Sequence, residues 1–328
     1  MAAEAEYVAP REHQEEVKRH VLLPLLLFAA TCLSTFWVGA VDWKPLVHLE
    51  SLVRGVSSFW QQLPHNSPVA ALEQGLAVAH MNWRQGLLYM GVVLAVLLMH
   101  ELGHFFVALR HRVPASLPYF IPVPVIPFGT LGAVIGMEGA QADRRQLFDL
   151  GIAGPVAGLM VTVPITALGV LLLPNIAPPP DSLCFHNPLL MQLLIAWLKP
   201  DYPTPQAFYL SQFNPYLMAG WMGMLITGLN MLPISQLDGG HVAYALLGRR
   251  RAHFLARGLL VAAILFVLAG EQYGWVIFLV LIILLGVDHP PTADDSRKLG
   301  RMRQLLGWVA ILIPILCFPP LGITPAVR

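Results

Sequence analysis

Seven predominantly apolar runs divide the chain: Val21–Val41, Leu87–Leu109, Leu147–Leu173, Tyr216–Leu247, Phe254–Ala269, Tyr273–Val287 and Leu305–Leu321. About 20 apolar residues are needed to cross a bilayer as a helix. The pattern therefore predicts an all-α polytopic membrane protein with six to seven transmembrane helices. The fifth and sixth runs are short and are parted only by Gly270, Glu271 and Gln272, which suits two tilted spans or one long broken element. The fourth is too long for a simple span and carries Asn230, Pro233 and Asp238 in its second half. That is the pattern of a helix broken inside the protein.

The polar segments between the runs complete the layout. Residues 1–20 form a cytoplasmic N-terminal segment, 21–321 a single membrane-embedded domain with its core at 87–247, and 322–328 a C-terminal tail. Two outer loops are long. Residues 42–84 intersperse Trp43, Trp60 and Trp83 with apolar residues, as interfacial helices do. Residues 174–215 are rich in proline and are expected to be irregular. Within Leu117–Met137, Pro118, Pro122, Pro124 and Pro127 forbid a regular helix, while Val, Ile, Tyr and Phe favour extended backbone. Two extended stretches joined around Val123–Pro127 predict a small re-entrant β-hairpin. Its edge is open to a further extended strand, and Gly129 and Gly132 permit close backbone approach. The alternative is a proline-rich loop on the cytoplasmic surface.

Composition agrees with the pattern. Of 328 residues 56% are hydrophobic and only 12% charged, against about 25% charged in soluble domains. A soluble enzyme, a disordered chain and a nucleic-acid binder are disfavoured, and a net charge of +1 offers no bulk attraction for a polyanion. The contacts left to such a chain are membrane lipid and other membrane proteins. Of 20 Lys and Arg, only Lys44, Arg54, Arg84, Lys199 and Arg328 fall on outer segments when the N-terminus is cytoplasmic. The other 15 lie inside, as the positive-inside rule requires. The glutamate-rich N-terminus resembles neither a signal peptide nor a transit peptide. The first run thus reads as a retained anchor, and the chain as a multi-pass protein of the cell membrane. Cys32, Cys184 and Cys317 match no metal or redox spacing.

Ionisable residues inside a span are functional by default, and His100-Glu101-Leu102-Gly103-His104 places three of them within five residues. The i, i+4 spacing sets both imidazoles on one helix face, where they can share a metal. Glu101 is then placed to act as general base toward the attacking water. Helix rise puts His100 about 20 Å from Leu87 and His104 about 9 Å from Arg110, so the site lies nearer the cytoplasmic face. A catalytic zinc takes three protein ligands and keeps one position open. Asp238, after the helix-breaking Pro233 and before Gly239-Gly240, is the candidate third ligand. Alternatives stay open. Asp238 could cap a helix, Glu138 or Glu271 could complete a gluzincin-type site, and the same cluster could serve a metal or proton transporter.

At these residues the sequence resembles the site-2 protease family of intramembrane zinc metalloproteases. The likeness rests on His100-Glu101-Leu102-Gly103-His104 and Leu237-Asp238-Gly239, and extends to Phe128-Gly129-Thr130-Leu131-Gly132 and Gly154-Pro155-Val156-Ala157-Gly158. It implies one Zn²⁺ held by His100, His104 and Asp238, with Glu101 as catalytic base and Asn230 near the substrate or the oxyanion. It also implies cleavage of transmembrane segments of other membrane proteins, single-span proteins among them, in regulated intramembrane proteolysis. The chain has room for neither a PDZ nor a CBS domain, so it resembles a minimal member. On physical grounds Gly154, Ala157 and Gly158 are expected to pack helices, Asp149 to cap or solvate the start of its span, and His241 to support a metal ligand or, more simply, to satisfy a local carbonyl.

Overall fold

The computed structural model describes residues 21–43, 76–137, 141–174, 183–203, 205–270 and 272–325. In chain order these form α1 (Leu22–Ala40), α2 (Trp83–His111), β1 (Tyr119–Val123), β2 (Gly129–Val134), α3 (Arg144–Leu171), β3 (Leu183–His186), α4 (Leu189–Leu198), β4 (Ala207–Tyr209), α5 (Pro215–Asn230), α6 (Asp238–Leu247), α7 (Arg249–Ala269), α8 (Val276–Leu285), α9 (Arg301–Ala310), α10 (Ile313–Cys317) and β5 (Ile323–Pro325). The fold is mostly helical. The N-terminal segment, Trp60, Glu138 and Glu271 lie outside the described residues, as do most of the expected interfacial helices.

Four helices, α1, α2, α3 and α7, are long and apolar enough to cross a membrane. They correspond to four of the seven apolar runs. The other three are interrupted where the chain loses helical hydrogen bonding. Tyr216–Leu247 divides into α5 and α6 around a turn that holds Pro233 and Ser235, the latter at φ +57°. Tyr273–Val287 yields a 3₁₀ turn at Tyr273–Trp275 and the ten residues of α8, the latter about 15 Å long and ended by Gly286 at φ +84°. Leu305–Leu321 divides into α9 and α10 beside Pro314, which cannot continue a helix.

Local chemistry sets the ends of the long helices. Asp143 caps α3 by accepting from the backbone N–H groups of Arg145 and Gln146, and Gln146 accepts from Asp143 in return. Helix α2 stops at Arg112, which turns left-handed at φ +56°. Helices α2 and α3 pack against each other and against α5. The core against α5 is aromatic: Trp221 stacks on Phe128 at 5.4 Å and meets Phe185 edge-on at 5.3 Å.

The predicted hairpin is present. Strands β1 and β2 pair antiparallel from Tyr119↔Val134 to Val123↔Gly129, with a register irregularity between Phe120 and Pro122, where proline has no N–H for the ladder. Helix α1 holds it through the Ser34 hydroxyl, which donates to the Gly129 carbonyl, and α2 through Tyr89, whose hydroxyl donates to the Phe128 carbonyl at 3.1 Å. The expectation of an irregular 174–215 is corrected. Strands β3 and β4 form a second antiparallel sheet with β5, and α4 lies between them in sequence, because the prolines fall outside the paired positions.

Candidate metal centre

Helix α2 carries His100 and His104 on one face, both buried, and α6 begins at Asp238, also buried. His100 Nε2 lies 3.2 Å from Asp238 Oδ2, His104 Nε2 lies 3.3 Å from Asp238 Oδ1, and the two Nε2 atoms are 3.3 Å apart. Zinc bonds of about 2.0 Å in a tetrahedron put neighbouring donors about 3.3 Å apart. The two imidazole nitrogens stand at that spacing and each faces one oxygen of the same carboxylate, so the residues fit a zinc ion. Among the described residues this is the only group of three or more His, Cys, Asp or Glu whose donor atoms all lie within 4.8 Å of one another.

The helix-cap alternative for Asp238 is excluded by its position. The cap of α6 is Leu237 and makes no side-chain bond, while the Asp238 carboxylate turns to the imidazoles. Two glycines make this turn compact. A Cβ on Gly239 would lie 2.0 Å from the Met231 carbonyl oxygen, and one on Gly240 2.2 Å from that of Ser235.

Helix α3 sets the imidazoles. His104 Nδ1 donates to the Leu150 carbonyl at 2.8 Å, which leaves the Nε2 lone pair directed at the site. Gly154 lies against the His104 ring and Gly158 against His100, with built Cβ positions 2.0 Å and 3.1 Å from ring nitrogens. The sequence reading treats these glycines as helix packing only. Their i, i+4 spacing, run antiparallel to that of the histidines, was the available signal. Glu101, on α2 beside His100, is buried. Asn230 ends α5 with Nδ2 3.4 Å from His100 Nε2, at the rim of the donor triangle.

The two hairpin glycines differ in setting. Gly129 (φ +76°) is wedged on α1, where a Cβ would lie 2.9 Å from Thr35 Cα. Gly132 (φ +105°) faces Ile226 of α5 at 3.6 Å, one turn before Asn230. Asp149 does not cap α3. It accepts two bonds from Arg303 on α9, at 2.7 and 2.8 Å, and pairs with His111 at 3.0 Å. His241 pairs not with a carbonyl but with His289, at 2.6 Å.

The sequence pattern of peptidase family M50 matches residues 88–270. A relative from Arabidopsis thaliana, named probable zinc metalloprotease EGY1, chloroplastic, is 32% identical over 238 residues, which is 70% of this chain and 42% of the relative. Its namesake from Oryza sativa subsp. japonica is 30% identical over 237 residues, or 70% and 40% of the two chains. Probable zinc metalloprotease EGY2, chloroplastic, of Arabidopsis thaliana is 32% identical over 189 residues, or 56% and 33%. The chain thus spans about two fifths of the length of the first two. These names place the relatives in chloroplasts and lend no support to the cell membrane as this chain's location. No solved structure matches the chain.

Proposed function

The chain belongs to peptidase family M50, and from that premise we propose that it is a zinc-dependent endopeptidase that hydrolyses peptide bonds within or near the transmembrane segments of other membrane proteins. The observation that carries the reading is the donor triangle. Three buried donors, drawn from α2 and α6 across 138 residues of sequence, stand at zinc-ligand spacing beside a buried glutamate.

Zinc bound there supplies a Lewis acid that polarises the scissile carbonyl and makes water more acidic. Glu101 takes the proton from the attacking water as its oxygen bonds to the carbonyl carbon. The same carboxylic acid then returns the proton to the departing amine as the C–N bond breaks. Asn230 donates to the oxygen on which negative charge develops. Buried walls hold the bulk of water away from these groups, and the peptide must be extended to present its carbonyl. The hairpin serves that need: β2 offers an edge, Gly132 lies on the Ile226–Asn230 face of α5, and Gly129 fixes the hairpin to α1. The substrates are transmembrane segments of single-span proteins cut in regulated intramembrane proteolysis, with the site opening to the side of the membrane that holds most of the basic residues.

The test is Glu101→Gln in the full chain in lipid nanodiscs, with a reporter membrane span as substrate. The variant should keep one zinc per chain and lose cleavage by at least 10²-fold. Undiminished cleavage removes Glu101 from the mechanism. Metal flux into vesicles, with no cleavage by either protein, overturns the peptidase reading in favour of transport.

A further inference from the structure

Asp238 reaches the site from the first residue of a short, buried helix. Helix α6 is only ten residues long, starts at Asp238 itself and has no side-chain cap. The two histidines, by contrast, sit within 29 residues of continuous helix. Rotation of α6 about its axis would carry the carboxylate with it. At about 5 Å from the axis, a 10° turn moves it close to 1 Å, which is enough to spoil the donor triangle. Something outside α6 must fix that angle.

The segment between α8 and α9 meets this requirement. Residues 286–295 run along α6 and are tied to both of its neighbours in the site. Ser235, in the turn before Asp238, donates its N–H to the Val287 carbonyl at 3.0 Å and its hydroxyl to the Gly286 carbonyl. At the far end, Asp294 accepts from the Arg144 backbone of α3, and Asp295 accepts from the Tyr244 hydroxyl of α6 at 2.9 Å. Between them, His289 meets His241, one turn after Asp238. Both rings are buried, and Tyr244 lies over His289 with ring centroids 4.6 Å apart.

The hydrogen bonds define the protons. The Pro290 carbonyl can only accept, so His289 Nδ1 donates to it, at 2.6 Å. In the neutral ring, His289 Nε2 is then the acceptor, and His241 Nδ1 donates to it. A pair of leucines would fill such space without burying polar atoms. What two imidazoles add is direction, because a hydrogen bond constrains the angle of α6 where an apolar contact lets it slide.

We propose that the buried His241–His289 pair, carried by the 286–295 segment, is the device that sets Asp238 against His100 and His104. His289 is thus a positioning residue that touches neither metal nor substrate. The inference rests on the zinc-site reading given above.

The test uses the full chain in nanodiscs, with Zn²⁺ affinity measured by chelator competition and the visible absorption of the Co²⁺-loaded protein as the signature of donor geometry. His289→Leu keeps volume and removes the acceptor. His289→Gln keeps an acceptor for His241. The leucine variant should bind zinc 10- to 100-fold more weakly and alter the Co²⁺ bands, and glutamine should restore both to within a few-fold of wild type. If His289→Leu binds zinc and absorbs as wild type does, the proposal is overturned. It is equally overturned if glutamine fails to rescue while melting at the wild-type temperature. Should leucine prevent folding, His289→Gln against Tyr244→Phe decides. Loss of only the Asp295 bond in the latter leaves the histidine pair whole and should shift the Co²⁺ bands less than the glutamine does, and the reverse order overturns the proposal. A wild-type chain that takes up no zinc overturns the zinc-site reading itself, and this inference with it.

Discussion

Gly154 on α3 sits so close to His104 on α2 that a Cβ in place of its hydrogen would lie 2.0 Å from Nε2, the nitrogen that faces Asp238. The neighbouring pair, Gly158 and His100, repeats the arrangement one turn away at 3.1 Å. The glycines of α3 therefore form the wall against which the ligand imidazoles rest.

Gly154→Ala should consequently abolish zinc binding. Either the His104 ring turns off its Leu150 bond, or α2 and α3 separate along a tightly packed face. Gly158→Ala should be milder, with zinc affinity down roughly tenfold, because a neighbour at 3.1 Å needs to give only a few tenths of an ångström. Gly91→Ala, also on α2 but with open space around it, is the control and should leave zinc content unchanged. Zinc per chain, measured by atomic absorption, orders the three. An alanine at 154 that keeps full zinc would show that the wall yields.

Asn230 and Asp238 should separate binding from rate. Asp238→Ala removes one of three donors and should cut bound zinc to near zero after dialysis. Asn230→Ala leaves all three donors in place and should retain zinc while kcat falls about 10²-fold, the usual cost of one donor to a developing oxyanion. A rise in KM alone would instead assign Asn230 to substrate binding.

These two residues also mark how far the sequence alone could be read. The histidine pair and Asp238 were legible because charges are costly in hydrocarbon and because H-E-x-x-H has a fixed helical geometry. The broken fourth run was legible from Pro233. The wall glycines were read only as packing, since their i, i+4 spacing matches that of the histidines without by itself saying which helix they face. His289 was invisible for a stronger reason. It lies in a segment with neither helical nor strand periodicity, and its partner His241 is 48 residues away. Of the six to seven spans expected, four described helices are long and apolar enough to cross by themselves, and elsewhere apolar content outruns helical hydrogen bonding. Val276–Leu285 and Ile313–Cys317 are apolar throughout, yet each is too short to cross.

Asp149 joins three helices, since Arg303 comes from α9 and His111 from the end of α2. Half-exposed ion pairs contribute about 1 kcal/mol each or less, but the bidentate geometry with Arg303 favours the upper end. Asp149→Ala should thus destabilise the fold more than Arg303→Ala or His111→Ala does alone. A double-mutant cycle between Asp149 and Arg303 should give about 1 kcal/mol of coupling, shrinking as salt is raised. Additive losses in thermal unfolding would mean that the pair contributes nothing.

The two positive-φ glycines of the hairpin should fail in different ways. Gly129 has no room: a Cβ would lie 2.9 Å from Thr35 Cα and 3.0 Å from the Ser34 carbonyl oxygen, both backbone atoms that cannot move aside cheaply. Gly129→Ala must push the hairpin off α1, breaking the Ser34 bond, and should lower thermal stability and activity together. Gly132 has room, its nearest neighbour being the flexible end of Ile226 at 3.6 Å, so alanine there meets only the backbone strain of φ +105°. That strain is of order 1–3 kcal/mol and falls on the strand edge. Gly132→Ala should therefore fold and bind zinc normally while KM for the reporter span rises, because the edge no longer lies flat for a substrate strand. Equal KM for Gly132→Ala and wild type, in a protein with wild-type zinc content, would remove β2 from substrate binding and leave the hairpin as a brace between α1 and α2.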